Sequence, residues 1–206
     1  MVLLLFLCTQ LYGQPKEFRK ADSVAALYPN HSLTDIQLLS KKLTSSLNTD
    51  REKFRAIYKW VCSNIEYDLD LYELVNHKRA KLSKKDFTEW NLNQSPVITK
   101  LLIDKHRAVC TGYAWLVRQL CYYAGITCEV IDGSKEKNAK APTHSWNAVL
   151  LSGKWYLADP TWSSGYFISG SRIFFPHFEE DYFLVDPKVF AKNHYPLKKV
   201  WTLMEL

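Results

Sequence analysis

The chain has 206 residues, 47% hydrophobic and 23% charged, with a formal charge of +6 and a pI near 9.0. That length suits one domain with a substantial buried core, and the composition is that of a soluble globular protein. No apolar run reaches the roughly 18 residues that a membrane span needs, so no membrane span is expected.

The first residues, Met1-Val2-Leu3-Leu4-Leu5-Phe6-Leu7, lead into Gly13-Gln14-Pro15. Residues 1–14 read as a partial secretory signal peptide that lacks a basic n-region; a buried N-terminal strand is the alternative. The large residues before Cys8 argue against a lipoprotein anchor. The expected location is therefore secreted or periplasmic, or cytoplasmic should that segment not be a signal. Residues 15–206 are read as a single domain.

After this segment, Ile36, Leu39, Leu43 and Leu47 recur at helical spacing behind Ser32-Leu33-Thr34-Asp35. Thr49 or Asp50 can cap a second helix, on which Phe54, Ile57, Tyr58, Val61 and Ile65 form one apolar stripe. Residues 68–93 are polar, basic and weakly periodic, and read as a loop or irregular helical excursion, the most mobile part of the chain. Within them, His77 to Lys85 carries much of the excess charge. A solvated segment accounts for that run, and it lacks the aromatic interleaving of a single-strand binder, so no nucleic-acid partner is expected. Ser95-Pro96 opens a short helix over 97–103. From Cys110 to Ala124 the pattern is helical again and Gly125 ends it. Thr127 to Ile131 reads as a strand and 132–143 as a polar loop. Two further strands, 145–151 and 154–159, join through a Ser152-Gly153 turn. The tail, 181–206, is expected to wrap the sheet. Helices first and a meandering sheet later make an α+β domain: a helical layer and a central helix packed on an antiparallel sheet.

The hairpin fixes a register. A symmetric turn at Ser152-Gly153 pairs Leu151 with Lys154, Ala148 with Leu157 and Trp146 with Asp159. Residues two apart share a face, so His144 and Asp159 lie on one side as diagonal neighbours, roughly 7 Å apart between backbones. A slip of one residue would separate them. Cys110 sits where its helix begins, and free N–H groups there favour a thiolate and can stabilise an oxyanion. Arg107 adds positive charge nearby. If this helix packs on the His144–Trp146–Ala148 face, Cys110 reaches the same end. Cysteine, histidine and aspartate are then the parts of a thiol nucleophile, its base and the group that orients the base. Singly, each residue has a plainer role: a structural cysteine, a packed His-x-Trp, an Asp-Pro turn. With Cys110 free, Cys62, Cys121 and Cys128 are left for at most one disulfide or for buried apolar positions. No Cys-x-x-Cys pair occurs, so no structural zinc site, metal or cofactor is expected.

Cys110-Thr111-Gly112-Tyr113-Ala114, His144-Ser145-Trp146-Asn147 and Trp155 to Trp162 resemble the transglutaminase-like superfamily. With Arg55 to Asp68 upstream and His194-Tyr195-Pro196 through Trp201 downstream, the resemblance is nearest the kyphoscoliosis-peptidase-like and cytokinesis-protein branch and covers a core of about 50–201. It implies a papain-like core with Cys110 as nucleophile, His144 as base and Asp159 as orienter, reacting through a thioester. Water as acceptor gives a peptidase or amidase on protein or peptide substrates, including cell-envelope peptides. An amine as acceptor gives crosslinking, and a third reading is a non-catalytic binding or assembly module. Trp90 and Gln94 are candidates for the oxyanion donor, and Trp90, Tyr113, Trp115, Trp146 and Trp162 for the lining of a cleft.

Overall fold

The computed structural model describes residues 16–139 and 141–204. Residues 1–14, read as a signal, and Cys8 lie outside the described residues. A helical layer comprises α1 (Arg19–Ala26), α2 (Ile36–Thr44) and α3 (Asp50–Asn64). Thr49 opens α3 with a capping box: its side chain accepts from the Glu52 N–H while the Glu52 carboxylate accepts from the Thr49 N–H. Phe54, Ile57, Tyr58, Trp60 and Val61 are all fully buried, which makes α3 a central helix and not merely a covering one.

The short strand β1 (Glu66–Tyr67) pairs in parallel with β2 (Arg107–Ala108). Between them run α4 (Leu69–Lys81) and α5 (Lys84–Lys105). Over 68–93, read as a loop or irregular helical excursion, the structure has two regular helices, and the short helix expected over 97–103 is the end of the second. Both helices escaped a search for apolar stripes because they bury almost nothing: Leu102 is the sole buried residue on α5, and α4 has none. Caps start them instead. The Asp68 carboxylate accepts from the Leu71 N–H, and the Ser83 hydroxyl accepts from the Asp86 N–H. Pro96 lies inside α5 and removes one backbone donor there.

Helix α6 (Cys110–Tyr123) follows directly. The main sheet is antiparallel, with order β5-β4-β3-β8. Its strands are β3 (Cys128–Ser134), β4 (His144–Leu151), β5 (Lys154–Ala158) and β8 (Tyr195–Pro196). Between β5 and β8 the chain forms a hairpin of β6 (Gly165–Phe167) and β7 (Phe174–Pro176), then a short α7 (Pro187–Phe190). The β4–β5 register is the one that the turn dictates, with Leu151 opposite Lys154 and Ala148 opposite Leu157.

One expectation about layering is overturned. Helix α6 packs on the face that carries Asn147, Val149, Leu151 and Ala158, not on the face of Trp146 and Ala148. It contributes Leu116, Val117, Leu120 and Cys121 to the core against that face. The opposite face, with Ile131, Trp146, Ala148 and Leu157, is covered by Phe190 and Trp201 from the tail. Both faces of β4 are apolar, so alternation along the strand does not say which one a helix will claim. Asn147 holds the α6 side: its Nδ2 donates to the Ala114 carbonyl of α6 at 3.0 Å.

The tail can lie so close because position 133 is glycine. A Cβ there would stand 2.3 Å from the Trp146 indole and 2.4 Å from the Tyr195 carbonyl oxygen. The four described cysteines are free and buried, so Cys62, Cys121 and Cys128 occupy apolar positions and form no disulfide.

Candidate active site

Cys110 is the first residue of α6, preceded by Val109 in an extended conformation. No side chain caps this end, so the first N–H groups of the helix carry their partial positive charge beside the sulfur. The Arg107 guanidinium lies 3.4 Å from an Asp68 oxygen and 3.9 Å from an Asp70 oxygen. Its charge is therefore shared with carboxylates and not directed at Cys110 alone, a correction to the reading from spacing.

His144 opens β4 and Asp159 follows β5. His144 Nε2 and Asp159 Oδ2 are 2.6 Å apart, and both residues are buried. Because His144 is the first residue of its strand, its ring is not confined to one face of the sheet. It stacks on Trp162 with centroids 5.5 Å apart. Burial opposes charge on this imidazole, but the Asp159 carboxylate outweighs it, and the Cys110 sulfur adds to the same effect; the His144 pKa is raised to about 10. For Asp159, burial disfavours the carboxylate, yet His144 and then His194 hold its pKa well below the usual range.

The aspartate is anchored on every side. Oδ1 accepts from the Thr161 N–H at 2.9 Å and the Trp162 N–H at 3.1 Å, a local turn written by Asp-Pro-Thr-Trp. Oδ2 accepts from His144 and also from His194, whose Nε2 is 3.0 Å away. A carboxylate only accepts, so both histidines carry a proton on Nε2. His144 Nδ1 is then the ring nitrogen left for the sulfur.

His194 was not among the residues expected at the site. It is 1% exposed, stacks on Phe190 at 3.7 Å between centroids, and lies 2.7 Å through Nδ1 from Asn193 Oδ1. It lies 35 residues beyond Asp159, and the only sign of it in the sequence is its place in the His194-Tyr195-Pro196 segment. His144, Asp159 and His194 are also the grouping among the described residues that could hold a metal ion, with ligand atoms within 4.8 Å. Both contacts have hydrogen-bond length, and an N–H on each histidine satisfies the carboxylate without an ion. His194→Phe keeps a ring on Phe190 but removes the donor to a buried carboxylate. It should destabilise the fold by about 1.5–3 kcal/mol, and His194→Gln, which restores an N–H near the same point, should recover most of that. Urea titrations of the two variants would decide; equal losses would mean that only the ring matters.

Of the other candidates, Trp162 lines a cavity of about 540 Å³ that opens at His144. Tyr113 and Trp146 are fully buried, with the Tyr113 hydroxyl donating to the Ile65 carbonyl and the Trp146 ring packed on Phe190 and His194. They belong to the core and do not line the cavity, because their aromatic bulk fills the two sides of the sheet. Trp115 is half-buried and packs against the core on α6. Trp90 and Gln94 are half-buried on α5, where Trp90 packs on Phe87, and neither lines the cavity. Thr161 does line it, and its buried hydroxyl oxygen has no hydrogen-bond partner.

A helical layer, a helix that begins at a cysteine, and an antiparallel sheet that presents a His–Asp pair define a transglutaminase-like, papain-like α+β domain. The model of the transglutaminase-like superfamily matches residues 37–160, more than half of the chain, and the chain belongs to that superfamily. It is 30% identical over 198 residues to the kyphoscoliosis peptidase of Homo sapiens, covering 92% of this chain and 27% of that protein. It is 25% identical over 224 residues to hillarin of Drosophila melanogaster, covering 95% of this chain and 24% of that one. The chain thus spans about a quarter of the length of the curated relatives it matches. Among solved structures, a TGase crystal structure aligns with a TM-score of 0.43 and 18% identity, over 84% of this chain and 39% of that one.

Proposed function

We propose that the domain performs cysteine-dependent acyl-enzyme chemistry on protein or peptide amide bonds, with Cys110 as nucleophile, His144 as acid and base, and Asp159 as the residue that orients His144. The observation that carries this reading is the buried 2.6 Å contact between His144 and Asp159 at the end of the sheet where Cys110 opens α6. With its pKa raised to about 10, His144 is protonated at neutral pH and holds a proton beside the sulfur. The sulfur attacks the amide carbonyl and a tetrahedral oxyanion forms. The uncapped N–H groups at the start of α6 are the donors this reading assigns to that charge. His144 hands its proton to the leaving amine, and a thioester remains. Water then attacks the thioester, giving up its proton to His144, and the free acid leaves with the thiolate restored. Similarity to the kyphoscoliosis peptidase, named for hydrolysis, favours hydrolysis over transfer to an amine.

The test is alkylation of Cys110 by iodoacetamide, read by peptide mapping with Cys62, Cys121 and Cys128 as internal controls. Rapid labelling of Cys110 at pH 6, deferred in His144→Ala to the alkaline range of an ordinary thiol near roughly pH 8.5, is expected. Labelling indifferent to His144 would leave a binding module as the better reading. A peptide found to be cleaved by the wild type should be left intact by Cys110→Ala.

A further inference from the structure

The cavity beside His144 has a wall that the chemistry above does not require. Tyr67, Tyr72, Trp162, Tyr166, Phe167 and Phe174 face it. These rings come from β1, the first turn of α4, the segment after β5 that also carries Asp159, and the β6–β7 hairpin, and none of the six is itself a reacting group. Phe167 meets Tyr67 edge-on at 6.0 Å and Phe174 at 5.5 Å. Five of the six are half-buried and Tyr166 is 53% exposed, so none has its apolar surface fully used by the core. A continuous apolar patch of this kind marks a ligand groove. At about 540 Å³ the cavity falls among ligand pockets, which run from about 300 to 1,000 Å³.

Two features maintain the wall. Gly165 has φ +149°, and a Cβ there would stand 2.3 Å from the Phe175 carbonyl oxygen and 2.8 Å from the Phe174 ring, so the hairpin closes only with glycine. From outside, Arg172 in the β6–β7 turn donates to Glu73 at 2.8 Å and to Asp70 at 2.5 Å, tying the hairpin to the first turns of α4 across the cavity. The rim carries Lys135 and Glu179, of opposite sign, which gives neither an acidic nor a basic occupant a net advantage.

We infer that this cavity is a specificity subsite that takes a large aromatic or branched aliphatic side chain of a peptide substrate, within two residues of the carbonyl that Cys110 attacks. The inference rests on the function proposed above and goes further by naming the substrate class. The rings dominate the lining even though the Thr161 hydroxyl stands unpartnered in it, so glycine would leave them wet and a glutamine side chain would cover less of them than Phe or Leu.

Dipeptidyl acyloxymethyl ketones test this. The Cys110 thiolate displaces the carboxylate leaving group, so a C–S bond forms as the C–O bond breaks, and the side chain beside the ketone can be varied. Phe or Leu at either position of the dipeptide should speed inactivation by about ten-fold or more over Gln, Gly, Asp or Lys, with iodoacetamide as the reference blind to side chains. Phe174→Ala and Arg172→Ala should each shrink that ratio several-fold relative to iodoacetamide in the same variant. Labelling of Cys110 by all the ketones at rates that track iodoacetamide, or a preference for a charged side chain, would overturn the subsite and leave the cysteine chemistry standing. Failure of every ketone to label Cys110 faster than Cys62, Cys121 and Cys128 would remove the proposed function, and the subsite with it.

Discussion

Asp159→Asn should lower Cys110-dependent turnover by roughly two to four orders of magnitude without unfolding the chain. Asparagine keeps an Oδ1 for the Thr161 and Trp162 N–H groups, so the turn survives. Its Nδ2 replaces the oxygen that now accepts from both histidines. His144 must then present a lone pair at Nε2 and carry its proton on Nδ1. The carboxylate that keeps the ring charged is gone as well. Iodoacetamide labelling of Cys110 reports the effect even before a peptide substrate is found. The stability of the pair supplies an independent check with a defined sign. The His144 pKa rises from 6.5 to about 10 on folding, so its contribution is complete below pH 6.5 and fades as pH climbs toward 10. The Asp159 pKa falls from 3.8, so its contribution is complete above pH 3.8 and is lost as pH drops through the lower folded value. The stability difference between wild type and Asp159→Asn should therefore be largest between about pH 4 and 6.5 and shrink toward pH 10. A difference that grows with pH would show that His144 is not charged in the folded protein.

Arg55→Ala should destabilise the fold by about 3–5 kcal/mol. Arg55 is fully buried on α3, yet its guanidinium bonds Asp22 of α1 at 2.6 and 2.9 Å and Glu180 at 2.5 Å. The rings of Phe18, Phe178 and Phe183 lie 4.8–5.0 Å from it, so removing it also empties an aromatic box. Truncation leaves Asp22, 7% exposed, as an unpaired charge against α3. Urea unfolding of Arg55→Ala and of Arg55→Met with Asp22→Leu separates the two causes. The double variant should regain much of the loss, because replacing a buried pair by apolar groups is far less costly than breaking it. A single-variant loss under about 1 kcal/mol would show that the cluster is solvated. Arg55 joins α1 and α3 to the turn at Glu180–Tyr182, and the Asp159 N–H donates to the Tyr182 carbonyl in that turn. The buried charge thus sits one connection away from the candidate site.

Several features of the fold were legible locally, and each follows from short-range rules. Thr49 and Glu52 wrote the start of α3, and Gly125 the end of α6. Ser152-Gly153 set the β4–β5 register, which runs as far as the Asn147–Ala158 pair and leaves Asp159 just beyond the strand. Helices α4 and α5 were not legible, because capping and propensity sustain them where an apolar stripe is missing.

The sequence by itself determined helices α3 and α6, strands β4 and β5 and the hairpin register between them, because turns, caps and alternation act over a few residues. Tertiary structure alone decided which face of the sheet α6 covers, since both faces of β4 are apolar. It alone brought His194 onto Asp159 and assembled the aromatic cavity from α4 and the β6–β7 hairpin, through contacts between residues 35 and about 100 positions apart that no local pattern encodes.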